Sequence, residues 1–122
     1  MSVNKVFLLG NVGKTPHVKT FDNGNKVAMF TVATTERWTG NNGEKNSQTE
    51  WHNVSIFGKA VDFIEKYVDK GSQVFIEGKI RTRSYTDQHG EQKYITEIIS
   101  QSLQMLGGKK NDSSNEEDDM PY

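Results

Sequence analysis

Apolar and polar positions alternate along most of the chain, and the period changes only once. Residues 3–9 form a compact apolar run closed by Gly10-Asn11-Val12-Gly13, which predicts a strand and then a turn. Asp22-Asn23-Gly24-Asn25 carries turn chemistry between residues 18–21 and a long run over 26–38. Residues 39–46 are polar and rich in glycine and asparagine, which predicts an exposed, mobile loop, and a further strand covers about 48–57. Ala60, Phe63, Ile64, Tyr67 and Val68 then fall at i, i+3, i+4, i+7 and i+8, the one helical pattern, and this stripe assigns Phe63 and Tyr67 to the core. Lys66 and Lys70 suit the C-terminal end of that helix, and Gly71 its C′ position. Two long alternating strands, 73–86 and 92–106, flank the turn residues Asp87-Gln88-His89-Gly90.

Three strands, one helix and a two-strand hairpin make an all-β fold with one helix, in the order of a five-stranded OB-fold barrel spanning residues 1–106. Beyond Leu106 the composition turns polar at once. Residues 107–115 hold no apolar side chain, so 107–122 reads as a flexible linker carrying an acidic tip. A hydrophobic fraction of 33% in a chain of 122 residues leaves little core, and an oligomer that shares apolar surface is expected.

Charge divides the chain in the same place. Residues 1–110 hold all 15 Lys and Arg against 11 acids, a net +4, whereas 111–122 hold five acids and no base, a net −5. A basic body suits a polyanion, and the acidic end suits a separate protein contact. No cysteine is present, so disulfides and thiolate metal sites are excluded. His17, His52 and His89 lack ligand-like spacing, and no metal or cofactor is expected. The first residues lack the apolar run of a signal peptide, and no stretch approaches the roughly 20 apolar residues of a membrane span. A cytoplasmic protein without a membrane partner is expected.

Strand parity separates core from surface. Val54 and Ile56 form one face of the strand before the helix, and Trp51, Asn53, Ser55 and Phe57 the other, with Lys59 following. In the next strand Val74, Ile76 and Ile80 point one way, while Lys79, Arg81, Arg83 and Tyr85 point the other. Aromatics interleaved with cations are what single-stranded nucleic acid needs. Rings stack on any base at about 1–3 kcal/mol each, and Lys and Arg neutralise phosphates in a salt-sensitive way. Trp51, Phe57 and Tyr85 are therefore stacking candidates; Lys5, Lys59, Lys79, Arg81 and Arg83 are phosphate candidates. Phe75, outward beside Gln73 with no charge on its face before Glu77, is assigned to a subunit contact.

These residues resemble the bacterial single-stranded DNA-binding protein family. The resemblance runs through Val3-Asn4-Lys5-Val6, Gly10-Asn11, Ala33-Thr34-Thr35-Glu36-Arg37-Trp38 and Thr49-Glu50-Trp51-His52, then Phe57-Gly58-Lys59, Lys70-Gly71-Ser72-Gln73-Val74 and Ile76-Glu77-Gly78. It continues through Arg81-Thr82-Arg83 with Thr86-Asp87 to Gln104-Met105-Leu106-Gly107-Gly108. It implies an OB-fold homotetramer, nucleoid-associated, that wraps single-stranded DNA without sequence preference in replication, recombination and repair. It adds Trp38 to the stacking set, and places His52, Gln73 and Gln104 at subunit interfaces. Tyr85 stands where many relatives have Trp, a larger ring. The end, Glu116-Glu117-Asp118-Asp119-Met120-Pro121-Tyr122, resembles a tip that recruits replication, recombination and repair proteins, although relatives have a longer linker and commonly end Asp-Ile-Pro-Phe. An acidic end can also serve only as a solubilising tail.

Other readings fit less of the chain. A dimeric primosomal relative is expected to lack the acidic tip, and a cold-shock RNA chaperone to be shorter and differently patterned. No phosphate-cradling glycine loop or nucleophile–base pair suggests an enzyme; Glu36, Glu50 and Glu77 read as salt-bridge or solubility residues. A purely structural oligomer would bury the aromatics between subunits.

Overall fold

The computed structural model describes residues 1–106. The elements are β1 (Val6–Val12), β2 (His17–Thr20), β3 (Lys26–Thr39), β4 (Lys45–Phe57), α1 (Ala60–Tyr67), β5 (Gln73–Thr86) and β6 (Gln92–Leu106). The strands run in the order β1-β5-β6-β4-β3-β2, and β1 also pairs with β3 through Asn11–Ala33 and Val12–Val32. That pairing closes β1, β5, β6, β4 and β3 into a five-stranded barrel. The expected OB-fold is therefore the architecture of the molecule. Neighbours pair antiparallel except β4 and β6, which meet in parallel at Val54–Ile98 and Ser55–Ile99.

Period-2 alternation fills the barrel. Ala28, Phe30 and Val32 of β3 face inward opposite Ile56 and Val54 of β4, and Val74 and Ile76 of β5 join them. The helix adds Val61, Ile64 and Val68 to the same cluster. This corrects the expected stripe: Val61-Ile64-Val68, at i, i+3 and i+7, is the buried face. Phe63 and Tyr67 lie outside the core, 42% and 47% exposed, with ring centroids 5.0 Å apart. Both stripes have helical spacing and share Ile64 and Val68; they differ in that Val61, rather than Phe63 and Tyr67, packs into the cluster.

Several boundaries also differ from expectation. β1 continues through Gly10-Asn11-Val12, where a turn is predicted from sequence, because that segment must reach β3 to close the barrel. Gly10 is there for close approach, since a Cβ would collide with the Ala33 carbonyl oxygen. Residues 18–21 contribute to a short edge strand, β2, so four strands rather than three precede the helix. The loop expected over 39–46 shrinks to 40–44, tied by hydrogen bonds from Gly40 N to Glu44 O (2.7 Å) and Gly43 N to Gly40 O (3.0 Å). Gly71 is not at C′: the helix is capped at Val68, and Gly71 instead donates its N–H to the Val12 carbonyl at 2.8 Å. Ile80 follows the parity of Val74 and Ile76 but is exposed, because β5 there has run past the barrel.

Candidate nucleic-acid interface

The outer face of β4 carries Trp51, Asn53, Ser55 and Phe57, each opposite a β3 partner: Ala33, Thr31, Met29 and Val27 respectively. The pairing runs without a bulge from Val27–Phe57 to Thr39–Lys45, so the alternation is unbroken. Across β6, the outer face of β5 carries Lys79, Arg81, Arg83 and Tyr85 opposite Ile99, Glu97, Ile95 and Lys93. One curved sheet surface thus brings together Trp51, Phe57, Tyr85 and the β5 cations, as parity predicts. The three rings are exposed despite their size, Trp51 at 59%.

Trp51 has a defined seat. A Cβ on Gly13 would collide with Cζ3 of the indole and would lie 2.8 Å from Thr31 Oγ1. The missing side chain lets the β1–β2 connection close against the ring. Beyond Gly13 that connection walls a recess of about 240 Å³. Its lining joins Lys14 and His17 to Asn53 and Ser55 of β4, Arg83 of β5 and Glu97 of β6.

Trp38 stands apart. It pairs with Asn46 in the outer part of the β3–β4 hairpin, and alternation puts it on the opposite face from Trp51. The ring is exposed there, but β3 does not bring it onto the surface shared by the other three.

The cations divide into two kinds. Lys59 and Lys79 are exposed, and neither has an ion-pair partner among the described residues. Lys5 is bound to Glu77 at 2.6 Å. Arg81 Nη2 and Arg83 Nε both donate to Glu97 Oε2 at 2.9 Å, and Ser55 Oγ donates to Glu97 Oε1 at 3.1 Å. Glu97, 3% exposed, is the one buried ionisable side chain among the described residues. Burial pushes its carboxyl pKa up, but hydrogen bonds from Arg81, Arg83 and Ser55, with the Arg83 charge, overcome that and hold it below its ordinary value. The expected ladder of free charge on β5 is therefore a free Lys79 above two arginines sharing one carboxylate.

The four interface candidates do not form one patch. Phe75 pairs with Gln104 across β5 and β6, and Gln73 with Leu106, on one outer face. Phe7 stacks on Phe75 at 6.1 Å, and Leu9 lies opposite Phe75; both β1 residues are exposed. His52 lies on the inward parity of β4, half-buried, with Nε2 2.9 Å from Thr34 Oγ1. Sequence reasoning missed Glu97, Phe7 and Tyr94, the last an exposed ring opposite Ser84. The expected linker and tip Glu116–Tyr122, within residues 107–122, lie outside the described residues.

Among the described residues no group of His, Cys, Asp and Glu could hold a metal ion, and no helix is long and apolar enough to cross a membrane.

A closed five-stranded barrel whose outer face interleaves rings with cations defines an OB-fold of the oligonucleotide-binding kind. The chain belongs to the single-strand binding protein family, whose model it matches over residues 3–106. It is 51% identical over 111 residues to a single-stranded DNA-binding protein of Bacteroides thetaiotaomicron, across 89% of this chain and 69% of that one. It superposes on the Plasmodium falciparum SSB in complex with ssDNA with a TM-score of 0.79 and 38% identity, covering 87% of this chain and 97% of the other. A deletion mutant of the single-stranded DNA-binding protein from Thermus aquaticus shares the fold, with a TM-score of 0.74 at 22% identity over 88% of this chain and 52% of its own.

Proposed function

We propose that this chain binds single-stranded DNA without sequence preference and protects it during replication, recombination and repair. One observation carries the reading: Trp51, Phe57 and Tyr85 lie exposed on the same sheet surface as Lys79, Arg81 and Arg83. Exposed rings at this spacing serve bases, since each base has a π-face, and the cations serve the phosphates between them. Trp38, on the other face of the β3–β4 hairpin, joins the stacking set where the strand passes around that hairpin, and Lys59 and Lys5 extend the phosphate track. The relatives' names, and the single strand in the Plasmodium falciparum complex, support the same ligand. The role is binding rather than catalysis.

The working unit is a homotetramer. Exposed Phe7 and Leu9 with Phe75, bordered by Gln73 and Gln104, supply an apolar face that a second copy would cover, and His52 serves a separate contact. The tip Glu116–Tyr122 recruits partner proteins: its acids suit a basic rim, and Met120 with the Tyr122 ring suits an apolar pocket beside that rim. The protein acts in the cytoplasm, at the nucleoid.

Gel retardation tests the ligand. Oligo-dT, oligo-dA and mixed-sequence single strands should shift at similar protein concentrations, and duplex of equal length should not compete. Preference for duplex, or for one sequence by several orders of magnitude, would contradict the reading.

A further inference from the structure

We propose that Glu97 is a positioning residue of the single-strand interface, acting as a built-in counter-anion for Arg81 and Arg83. The inference rests on the single-strand reading above. A carboxylate this buried is retained only where its partners compensate for lost water, and here three donors reach it, two of them guanidinium groups. Each arginine gives Glu97 one nitrogen, so most of its five N–H donors stay available on the outer face. The side chains themselves are held by the shared oxygen. Two guanidiniums thus meet the ligand already ordered, and less conformational entropy is lost on binding.

The same geometry fixes the electrostatics. Two arginines and one carboxylate amount to one net positive charge, so the cluster neutralises about one phosphate, and frees about one cation condensed on the strand, rather than two. Lys14 and His17 line the same recess, Lys79 lies on the same face of β5, and Lys93, opposite Tyr85, is paired with Glu91 at 3.6 Å. The Glu97 end of the surface is then a floor of hydrogen-bond donors with little net charge, and counterion release belongs to the flanking lysines. Such a floor suits a single phosphate better than a run of phosphates.

Salt titration of oligo-dT binding tests this with Glu97→Gln, which keeps an acceptor and the side-chain volume but removes the charge. The slope of log K against log salt should steepen by roughly 0.7, the value for one more neutralised phosphate on a single strand. Ser55→Ala, which removes a hydrogen bond and no charge, should leave the slope unchanged. An unaltered or shallower slope in folded Glu97→Gln, or an equal steepening in Ser55→Ala, would overturn the proposal. The unsubstituted protein gives a second readout that needs no variant to fold. Its Arg83 Nε–H should exchange slowly with solvent when free and equally slowly with oligo-dT bound; loss of protection on binding would mean that the ligand strips Arg83 from Glu97. Absence of any oligo-dT binding would instead sink the single-strand reading itself.

Discussion

Trp51 carries the most exposed of the three rings on the shared surface, and its seat against Gly13 is shaped by a missing side chain. Trp51→Ala should weaken single-strand binding by about 1–3 kcal/mol, the range for one stacked base, with the oligomer intact by light scattering. A dissociated variant would place the ring at a subunit contact. Gly13→Ala should displace the ring and lower affinity in the same direction by a smaller factor. Glu97 ties the interface to pH. Its folded-state pKa is depressed, so the stabilisation it gives is present above the unfolded carboxylate range and is lost as pH falls through the folded value. Urea midpoints should drop between neutral pH and about pH 3, and Glu97→Gln should remove part of that drop. The outward set on β5 was legible because alternation is a local property of the strand. Glu97 escapes the alternation, and only register reaches it: a turn joining Thr86 to Gln92 sets it opposite Arg81. Its burial was not legible, since Ser55 arrives from β4 through a long-range parallel pairing.

The hairpins and the helix show where pattern reading succeeds. The β5–β6 hairpin was read with its bounds intact because turn residues and a long alternation agree. β2, four mostly exposed residues, bears little pattern, and its sequence predicts no more than a run beside a turn. Helix α1 offered two stripes of equal spacing, and only the barrel could choose between them. Ile64→Ala should therefore cost about 2–5 kcal/mol of stability in a chemical melt, as for a large-to-small change in a packed core. Phe63→Ala should cost no more than about 1.5 kcal/mol, the scale of one aromatic pair. Equal losses at both sites would restore the stripe that includes Phe63.

For the whole molecule, the division of charge at residue 110 matters more than the formal net −1. If the tail's acids compete with phosphates for the basic surface, replacing Glu116, Glu117, Asp118 and Asp119 by Gln and Asn should tighten single-strand binding at low salt and lose partner recruitment in pull-downs. Phe75→Arg should dissociate the proposed tetramer, seen as a fall in mass by light scattering, because a charge would enter the Phe7–Phe75 stack. Assembly was the least legible level. A single chain leaves Phe7 and Leu9 exposed and Phe75 half-buried whether its partner is a second copy or another protein. Stacking of tryptophan on bases, with cations neutralising the phosphates, is checked by titrating oligo-dT into the protein and following tryptophan fluorescence. Strong saturable quenching that weakens steeply as salt rises is predicted; fluorescence unchanged by oligo-dT at low salt would contradict it.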